Sequence, residues 1–280
     1  MLSPARFLQA LGNVRRAAQQ TRHVSGAPFA IAAYWLAVRT PPLRQQQFRF
    51  HWRHHPFWAR PADGVVFEEF FIQEQYCFIA PLLAATDNGE GPVVIDAGAN
   101  IGLFSLAVLL AQPLASVYSL EPDTRTFRVL DRNVRANPGL RWKAFRLALW
   151  KTAGPLAFGA TDHSTASRVY ELAPSGRVET VDAITLSAFV DAHRLKKITL
   201  LKIDIEGAEE AVLAHDAGVL DRVEYLVLEI HSDRVDETAV MRAVRSHLPH
   251  VHRFTLHYAD RPLILASRSA DAGRRVFTTS

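Results

Sequence analysis

The chain has 280 residues, 49% of them hydrophobic, with a single cysteine and a formal net charge of +4. That length buries one good core with an appended subdomain, and one cysteine excludes an internal disulfide framework. No apolar run approaches the roughly 18–20 residues of a membrane span.

Charge is unevenly spread. Residues 1–62 hold nine arginines and no lysine, aspartate or glutamate, so the remainder carries a formal net of −5. Phe7, Leu8, Leu11 and Val14 recur at helical spacing beside Arg15 and Arg16, which predicts a basic amphipathic helix. Three readings stay open for it: peripheral contact with an anionic membrane, a transit-like targeting segment, or packing on the acidic remainder. No nucleic-acid motif accompanies the charge, so no nucleic-acid partner is expected. The apolar run Ala27 to Val38 contains Pro28 and lies too far along the chain for a secretory signal. Cys77, in an apolar aromatic segment, is expected to be a small buried hydrophobe, and the cysteine usage fits a cytoplasmic protein.

Between Phe48 and Trp58 come His51, His54 and His55 among aromatics. No Cys, Asp or Glu joins them, so no metal is expected there, and the aromatics read as packing or as a wall over a substrate pocket. Gly64 to Ile72 is expected to hold strand and helix leading into the core.

The run Val93-Val94-Ile95-Asp96-Ala97-Gly98-Ala99-Asn100-Ile101-Gly102, followed by the apolar Leu103 to Leu110, reads as strand, glycine turn and helix. A dinucleotide fingerprint needs G-x-G-x-x-G, and Asn100 and Leu103 stand where its later glycines belong. With the pyrophosphate cradle absent and Asp96 at the strand tip, the turn suits a cationic ligand such as S-adenosyl-L-methionine better than a nicotinamide cofactor. Ser116 to Glu121 is a second strand ending in an acid, about 20 residues on, where ribose hydroxyls are held. Pro122 stops it, and Asp123-Thr124 caps a helix over about Arg125 to Asn137.

A strand over Trp142 to Leu149 comes next, then a β-rich excursion from Pro155 to Thr185 and a helix over Leu186 to His193. The strand Ile198 to Asp204 leads to a helix over Ala208 to Ala217, with Gly218 as its stop. Tyr225 to Ile230 is continuously apolar, as a strand covered on both faces would be. A helix over Glu237 to His247 precedes Val251–Tyr258 and Leu263–Ala266, which are expected to pair as an antiparallel hairpin. The fold class is therefore α/β, a doubly wound Rossmann-like sheet with a C-terminal antiparallel hairpin and an N-terminal helical and aromatic extension. Residues 1–62 form the basic extension and 63–280 the domain, with its core at 93–231. Ligands in such sheets sit above the carboxyl ends of the strands, which gathers Asp96, Glu121, Asp204 and His231 on one rim.

The glycine turn from Asp96 to Gly102, then Glu121-Pro122, Asn133, Leu201-Lys202-Ile203-Asp204-Ile205-Glu206-Gly207-Ala208-Glu209 and Leu228-Glu229-Ile230-His231 resemble the FkbM-type methyltransferases. The likeness spans about half the chain. It implies a class I Rossmann-like methyltransferase fold, S-adenosyl-L-methionine as donor, and O-methylation of a hydroxyl on a sugar, polyketide or related metabolite. It also suggests that His163-Ser164-Thr165-Ala166-Ser167 forms a polar lip over the donor. The alternatives are a nicotinamide oxidoreductase and a noncatalytic scaffold keeping the fold. Cofactor contacts are expected from Asp96, Gly98, Asn100, Gly102, Glu121 and Asp204. His231 is expected as general base, with Asp204 and Glu206 orienting the acceptor or sharing the base role. Lys202 and Asp204 share a strand face, which predicts an ion pair or a bond to the loop.

Overall fold

The computed structural model describes residues 24–25, 28–38, 40–71, 73–84, 89–160, 168–169, 177–254 and 261–270. The expected helix over Phe7 to Val14 and the polar cluster His163–Ser167 lie outside these. Among the described residues no helix is long and apolar enough to cross a membrane.

Seven strands form the central sheet. In chain order they are β4 (Val93–Ala97), β5 (Ser116–Leu120), β6 (Arg141–Phe145), β11 (Ile198–Ile203), β12 (Val223–Glu229), β13 (His250–Phe254) and β14 (Leu263–Ser267). Their spatial order is β13-β14-β12-β11-β4-β5-β6. The five from β12 to β6 run parallel, and β14 is antiparallel to both β12 and β13, which realises the expected C-terminal hairpin. The chain winds outward from β4 through β5 to β6, then returns to lay β11 on β4's other side. That reversal opens a crevice above the carboxyl ends of β4 and β11.

Alternation along each strand feeds two cores. Val94, Val117, Leu200 and Val227 face one side, with α4 (Leu103–Ala111) and the N-terminal aromatics. Ile95, Leu201, Ile203 and Leu226 face the other, with α6 (Leu186–Ala192), α7 (Glu209–Asp216) and α8 (Glu237–Arg245). The helix after β5, α5 (Thr124–Arg135), starts on an Asp123 cap whose side chain accepts from the Thr126 N–H.

The first core runs without a break across residues 62 and 63. A three-stranded sheet of β1 (Val24–Ser25), β2 (Phe48–Trp52) and β3 (His55–Ala59) packs with α1 (Pro28–Ala37) and α2 (Gly64–Phe71) around Tyr34, Phe50, Phe57 and Phe67, all fully buried. The ring of Phe67 lies 4.9 Å from that of Tyr34 and 5.1 Å from that of Phe50. These tilted contacts, with the edge-on pair of Tyr34 and Phe50 at 5.4 Å, add to the burial of large apolar area. The aromatics between Phe48 and Trp58 are thus packing.

Four expectations are corrected. Gly64 to Phe71 is helix alone, because Val66, Phe67 and Phe71 bury one helical face. The strand expected over 142–149 divides, since β7 (Ala148–Leu149) leaves the main sheet to pair with β10 (Arg177–Ile184) at the edge of a second sheet continued by β8 (Gly154–Ala160) and β9 (Arg168–Val169). Gly218 does not stop α7: its φ is not positive, so no left-handed cap forms and a 3₁₀ turn continues over Ala217–Arg222. Cys77 is exposed, because the turn before α3 (Ile79–Ala84) points Tyr76 and Phe78 inward and Cys77 out. The hairpin strand β13 ends at Phe254, and 255–260 are outside the described residues.

Candidate active site

The crevice is a cavity with two dissimilar ends. One end is built from Gly98, Asn100, Glu121, Pro122 and the apolar Leu147, Leu149 and Phe158. The other is built from Glu69, Tyr76, Lys202, Asp204, Glu206, Glu229 and Arg261, with Phe70 and Phe104 as aromatic walls.

At the first end the backbone is bent around glycine. Gly98 has φ +75°, and a Cβ there would come within 1.7 Å of the Asp204 carbonyl oxygen. Only glycine lets β4 and the loop after β11 approach so closely. Gly102, at φ +88°, starts α4 against Trp142 and Leu130, so it shapes the loop from behind and does not line the cavity. Asn100, also left-handed at φ 53°, turns its N–H to Glu121 Oε2 at 3.0 Å, while Asp123 N–H donates to Oε1 at 2.9 Å. The Glu121 carboxylate is thus aimed by two main-chain donors. Burial, with Asp123 nearby, pushes its pKa up to about 8.

Asp96 lies beneath this end. It is fully buried, does not line the cavity, and accepts from Ser105 Oγ at 2.6 Å. Its cross-strand neighbours are Lys202 on β11 and Ser119 on β5. The Lys202 Nζ stands 3.5 Å from Asp96 Oδ1, 3.2 Å from Asp204 Oδ2 and 3.1 Å from the Gly98 carbonyl, to which it donates. Burial raises the Asp96 pKa, opposed by the lysine. Burial works against the Lys202 charge, but Asp204 and Asp96 hold its pKa above the ordinary value. The expected ion pair of Lys202 and Asp204 is present, and it also braces the glycine turn.

At the second end the loop Asp204–Gly207 carries Glu206 at φ 55° and Gly207 at φ +100°. Its organiser is Glu209, fully buried at the start of α7. Glu209 Oε1 accepts from the N–H groups of Ile205 (3.3 Å) and Gly207 (3.0 Å), and lies 2.9 Å from His231 Nδ1. The other ring nitrogen is 3.2 Å from Glu206 Oε2 and 4.0 Å from Glu229 Oε1. Arg234 closes the group from behind, donating to both the side chain (2.8 Å) and the carbonyl (3.0 Å) of Glu206. His231 is 0% exposed and absent from the cavity wall. Burial disfavours its charge, but the carboxylates of Glu206 and Glu209 override this and lift its pKa to about 11. It is an imidazolium at neutral pH and has no lone pair with which to take a proton. The nearest atoms of Asp204, Glu206 and His231 lie within 4.8 Å of one another, yet Lys202, Arg234 and the imidazolium itself already balance these acids.

Glu229, at the end of β12, is raised well above the usual carboxylate range by burial and by Asp204 and Glu69. Glu69 is pushed up to about 8 by burial and by Asp204. The sequence reading missed Glu69 as a site residue. Val66, Glu69 and Phe70 all line the cavity at i, i+3, i+4 spacing, a signal available once α2 is assigned as helix. Asn133 ties the site to the N-terminal sheet: its amide donates to the carbonyls of Ile101 (2.8 Å) and Trp58 (3.0 Å) and accepts from the Trp58 N–H (2.7 Å).

Residues 96–261, over half the chain, match the model of the methyltransferase FkbM domain. Methyltransferase sdnD of Sordaria araneosa is 35% identical over 155 residues, covering 44% of this chain and 60% of its own length. Hexuronic acid methyltransferase AglP of Haloferax volcanii is 27% identical over 143 residues, covering 51% of this chain and 57% of its own. The 31-O-demethyl-FK506 methyltransferase FkbM of Streptomyces tacrolimicus is 29% identical over 197 residues, covering 58% and 74%. The chain thus spans only about six-tenths of the length of the first two. Among solved structures, the METTL16 methyltransferase domain superposes with a TM-score of 0.50 at 12% identity, over 93% of this chain and 92% of that one, a likeness of fold. With the glycine turn, the Glu121 carboxylate and the Asp204–Glu209 loop all inside the matched segment, the chain belongs to the FkbM methyltransferase family.

Proposed function

We propose that this protein is an S-adenosyl-L-methionine-dependent O-methyltransferase acting on a hydroxyl of a sugar, polyketide or similar small metabolite. The observation that carries the reading is a single cavity with a pinned carboxylate at one end and a cluster of carboxylates at the other. The donor's groups match the residues present. Glu121, with both oxygens aimed by main-chain N–H groups, keeps lone pairs for two vicinal ribose hydroxyls. Gly98 leaves the strand end open to a ligand, and Leu147, Leu149 and Phe158 offer apolar faces to a purine. The acid-rich far end suits a ligand carrying a sulfonium and an ammonium group. When bound, the donor supplies an electrophilic methyl.

The chain's own residues then have three tasks. Glu121 and Asn100 hold the donor's nucleoside end. Lys202, bonded to the Gly98 carbonyl and to Asp204, keeps the donor loop and the Asp204 loop in one relative position, so two reactants meet in fixed geometry. His231 and Glu209 are positioning residues that fix the Asp204–Gly207 loop and neutralise Glu206. Phe70, Tyr76 and Phe104 exclude water from the reacting end.

The acceptor class draws support from the names of the relatives, one a hexuronic acid methyltransferase and another a 31-O-demethyl-FK506 methyltransferase. A nicotinamide oxidoreductase is disfavoured by the missing G-x-G-x-x-G, and a scaffold by a lined cavity of this composition. Calorimetric titration with S-adenosylhomocysteine and NADH tests the reading: binding of the first alone is expected, and binding of NADH alone would overturn it. A panel of sugar and polyketide hydroxyls with radiolabelled donor then identifies the acceptor.

A further inference from the structure

We propose that Glu69 is the general base of the methyl transfer, its carboxylate taking the acceptor hydroxyl's proton as the oxygen attacks. This rests on the methyltransferase reading above. The residue lies outside the segment that matches the family domain, on a helix delivered by the N-terminal aromatic module. In the step, the acceptor O–C bond forms and the C–S bond breaks. Its electron pair goes to the sulfur, which becomes a neutral thioether, and the hydroxyl proton goes to Glu69.

The geometry separates Glu69 from the other acids of the reacting end. Asp204 accepts from Lys202 at 3.2 Å, and Glu206 is held by Arg234 at 2.8 Å with the imidazolium of His231 at 3.2 Å. Each already has a cation in contact and is engaged in holding its own loop. Glu229, 4.0 Å from the His231 ring, is held well above the usual carboxylate range by burial and by Asp204 and Glu69, which favours its protonated form over the proton-accepting one. Glu69 lines the same cavity from α2 and not from a strand end, and among the described residues no hydrogen bond or ion pair engages its carboxylate. Its flanks Val66 and Phe70, with Tyr76 stacked on Phe70 at 4.7 Å, give the partly buried carboxyl an apolar setting. Around it the charged groups are Asp204, Glu206 and Glu229, opposed by Lys202 and Arg261, with the Tyr76 phenol close by. In that company it binds a proton up to about pH 8, near the working range of a base. A cationic donor beside it favours ionisation, so donor binding prepares the group to accept a proton.

The test needs no acceptor at first. Wild-type protein and the Glu69→Gln and Glu229→Gln variants are titrated at pH 7 with S-adenosylmethionine and with S-adenosylhomocysteine, in two buffers of different ionisation heat. A group with a pKa near 8 is about nine-tenths protonated at that pH. The wild type is therefore expected to release on the order of half a proton or more in excess with the sulfonium donor over the neutral product. Glu69→Gln is expected to bind both ligands and to lose that excess, while Glu229→Gln keeps it. An excess that persists in Glu69→Gln, that vanishes in Glu229→Gln instead, or that is missing from the wild type overturns the assignment. Failure of both ligands to bind overturns the methyltransferase reading itself. With the best acceptor from the panel, Glu69→Gln is expected to lower kcat about 10²–10⁴-fold with an unchanged donor KM, and Glu69→Asp to recover part of it. Wild-type kcat in Glu69→Gln rules the residue out as base.

Discussion

Replacing His231 with alanine separates a charge-balancing residue from a proton acceptor. The ring is fully buried between Glu209 Oε1 at 2.9 Å and Glu206 Oε2 at 3.2 Å. Removing one partner of a buried pair costs about 3–5 kcal/mol, because the remaining charge is left without compensation. Here Glu206 is 14% exposed and keeps Arg234, whereas Glu209 is 0% exposed and keeps only the N–H groups of Ile205 and Gly207. The low end applies, about 3 kcal/mol, read as a lower urea midpoint at unchanged m-value. The pH dependence gives a second check. A folded-state pKa of about 11 against an ordinary value of 6.5 means the folded chain holds a proton that the unfolded chain has lost. The stabilisation is complete below the ordinary pKa and is lost as pH rises toward 11, by up to about 1.4 kcal/mol per pH unit. Wild type is therefore expected to lose stability more steeply than His231→Ala between about pH 9 and 10.5, above most of the range in which Glu69 and Glu121 titrate. A variant with wild-type midpoint and wild-type slope, but with turnover down 10²–10⁴-fold, would refute the charge-balance account and make the imidazole the base.

Three further outcomes are expected. On the proposed donor site, Glu121→Ala loses two ribose hydrogen bonds, about 1–3 kcal/mol together, so S-adenosylhomocysteine affinity measured by calorimetry falls roughly one to two decades while the fold persists. Gly98→Ala combines a left-handed φ with a Cβ 1.7 Å from the Asp204 carbonyl, so the two loops must part. Donor binding is expected to be lost, and thermal unfolding to show destabilisation well above the 1–2 kcal/mol of φ strain alone. Asn133→Ala strands the N–H and C=O of Trp58 and the C=O of Ile101, which at the usual worth of buried hydrogen bonds costs about 2–4 kcal/mol in a urea titration.

Local chemistry made part of the site legible. Gly98 and Gly102 announced a turn because only glycine adopts their positive φ cheaply, and Glu121 stood at the distance where a strand-end acid meets a ribose. Asp96 was assigned to the donor because a strand end is readable from sequence, whereas the side a residue faces depends on its cross-strand neighbours. Register with Lys202 and Ser119 turns it toward α4 and Ser105, under the floor. His231 was located at the right strand end, but its ionisation is decided by Glu206 and Glu209, more than twenty residues earlier, and no local pattern reports that. Glu69 was hidden because the apolar, β-branched and aromatic run around it fits strand and helix alike. Cys77 shows the same limit: an apolar neighbourhood in sequence does not say which residue of a turn faces out.

The attachment of the N-terminal hairpin bears on how such an enzyme changes its substrate. Asn133 grips Trp58 by its N–H and carbonyl, and Asn137 grips Pro56 by its carbonyl, so both hold the hairpin by main chain. Main-chain contacts of this kind persist when side chains are exchanged. The hairpin supports α2, and α2 supplies one wall of the reacting end. Substitutions in that wall can therefore reshape the acceptor pocket while its docking to the donor loop is inherited unaltered, which makes acceptor choice separable from donor binding.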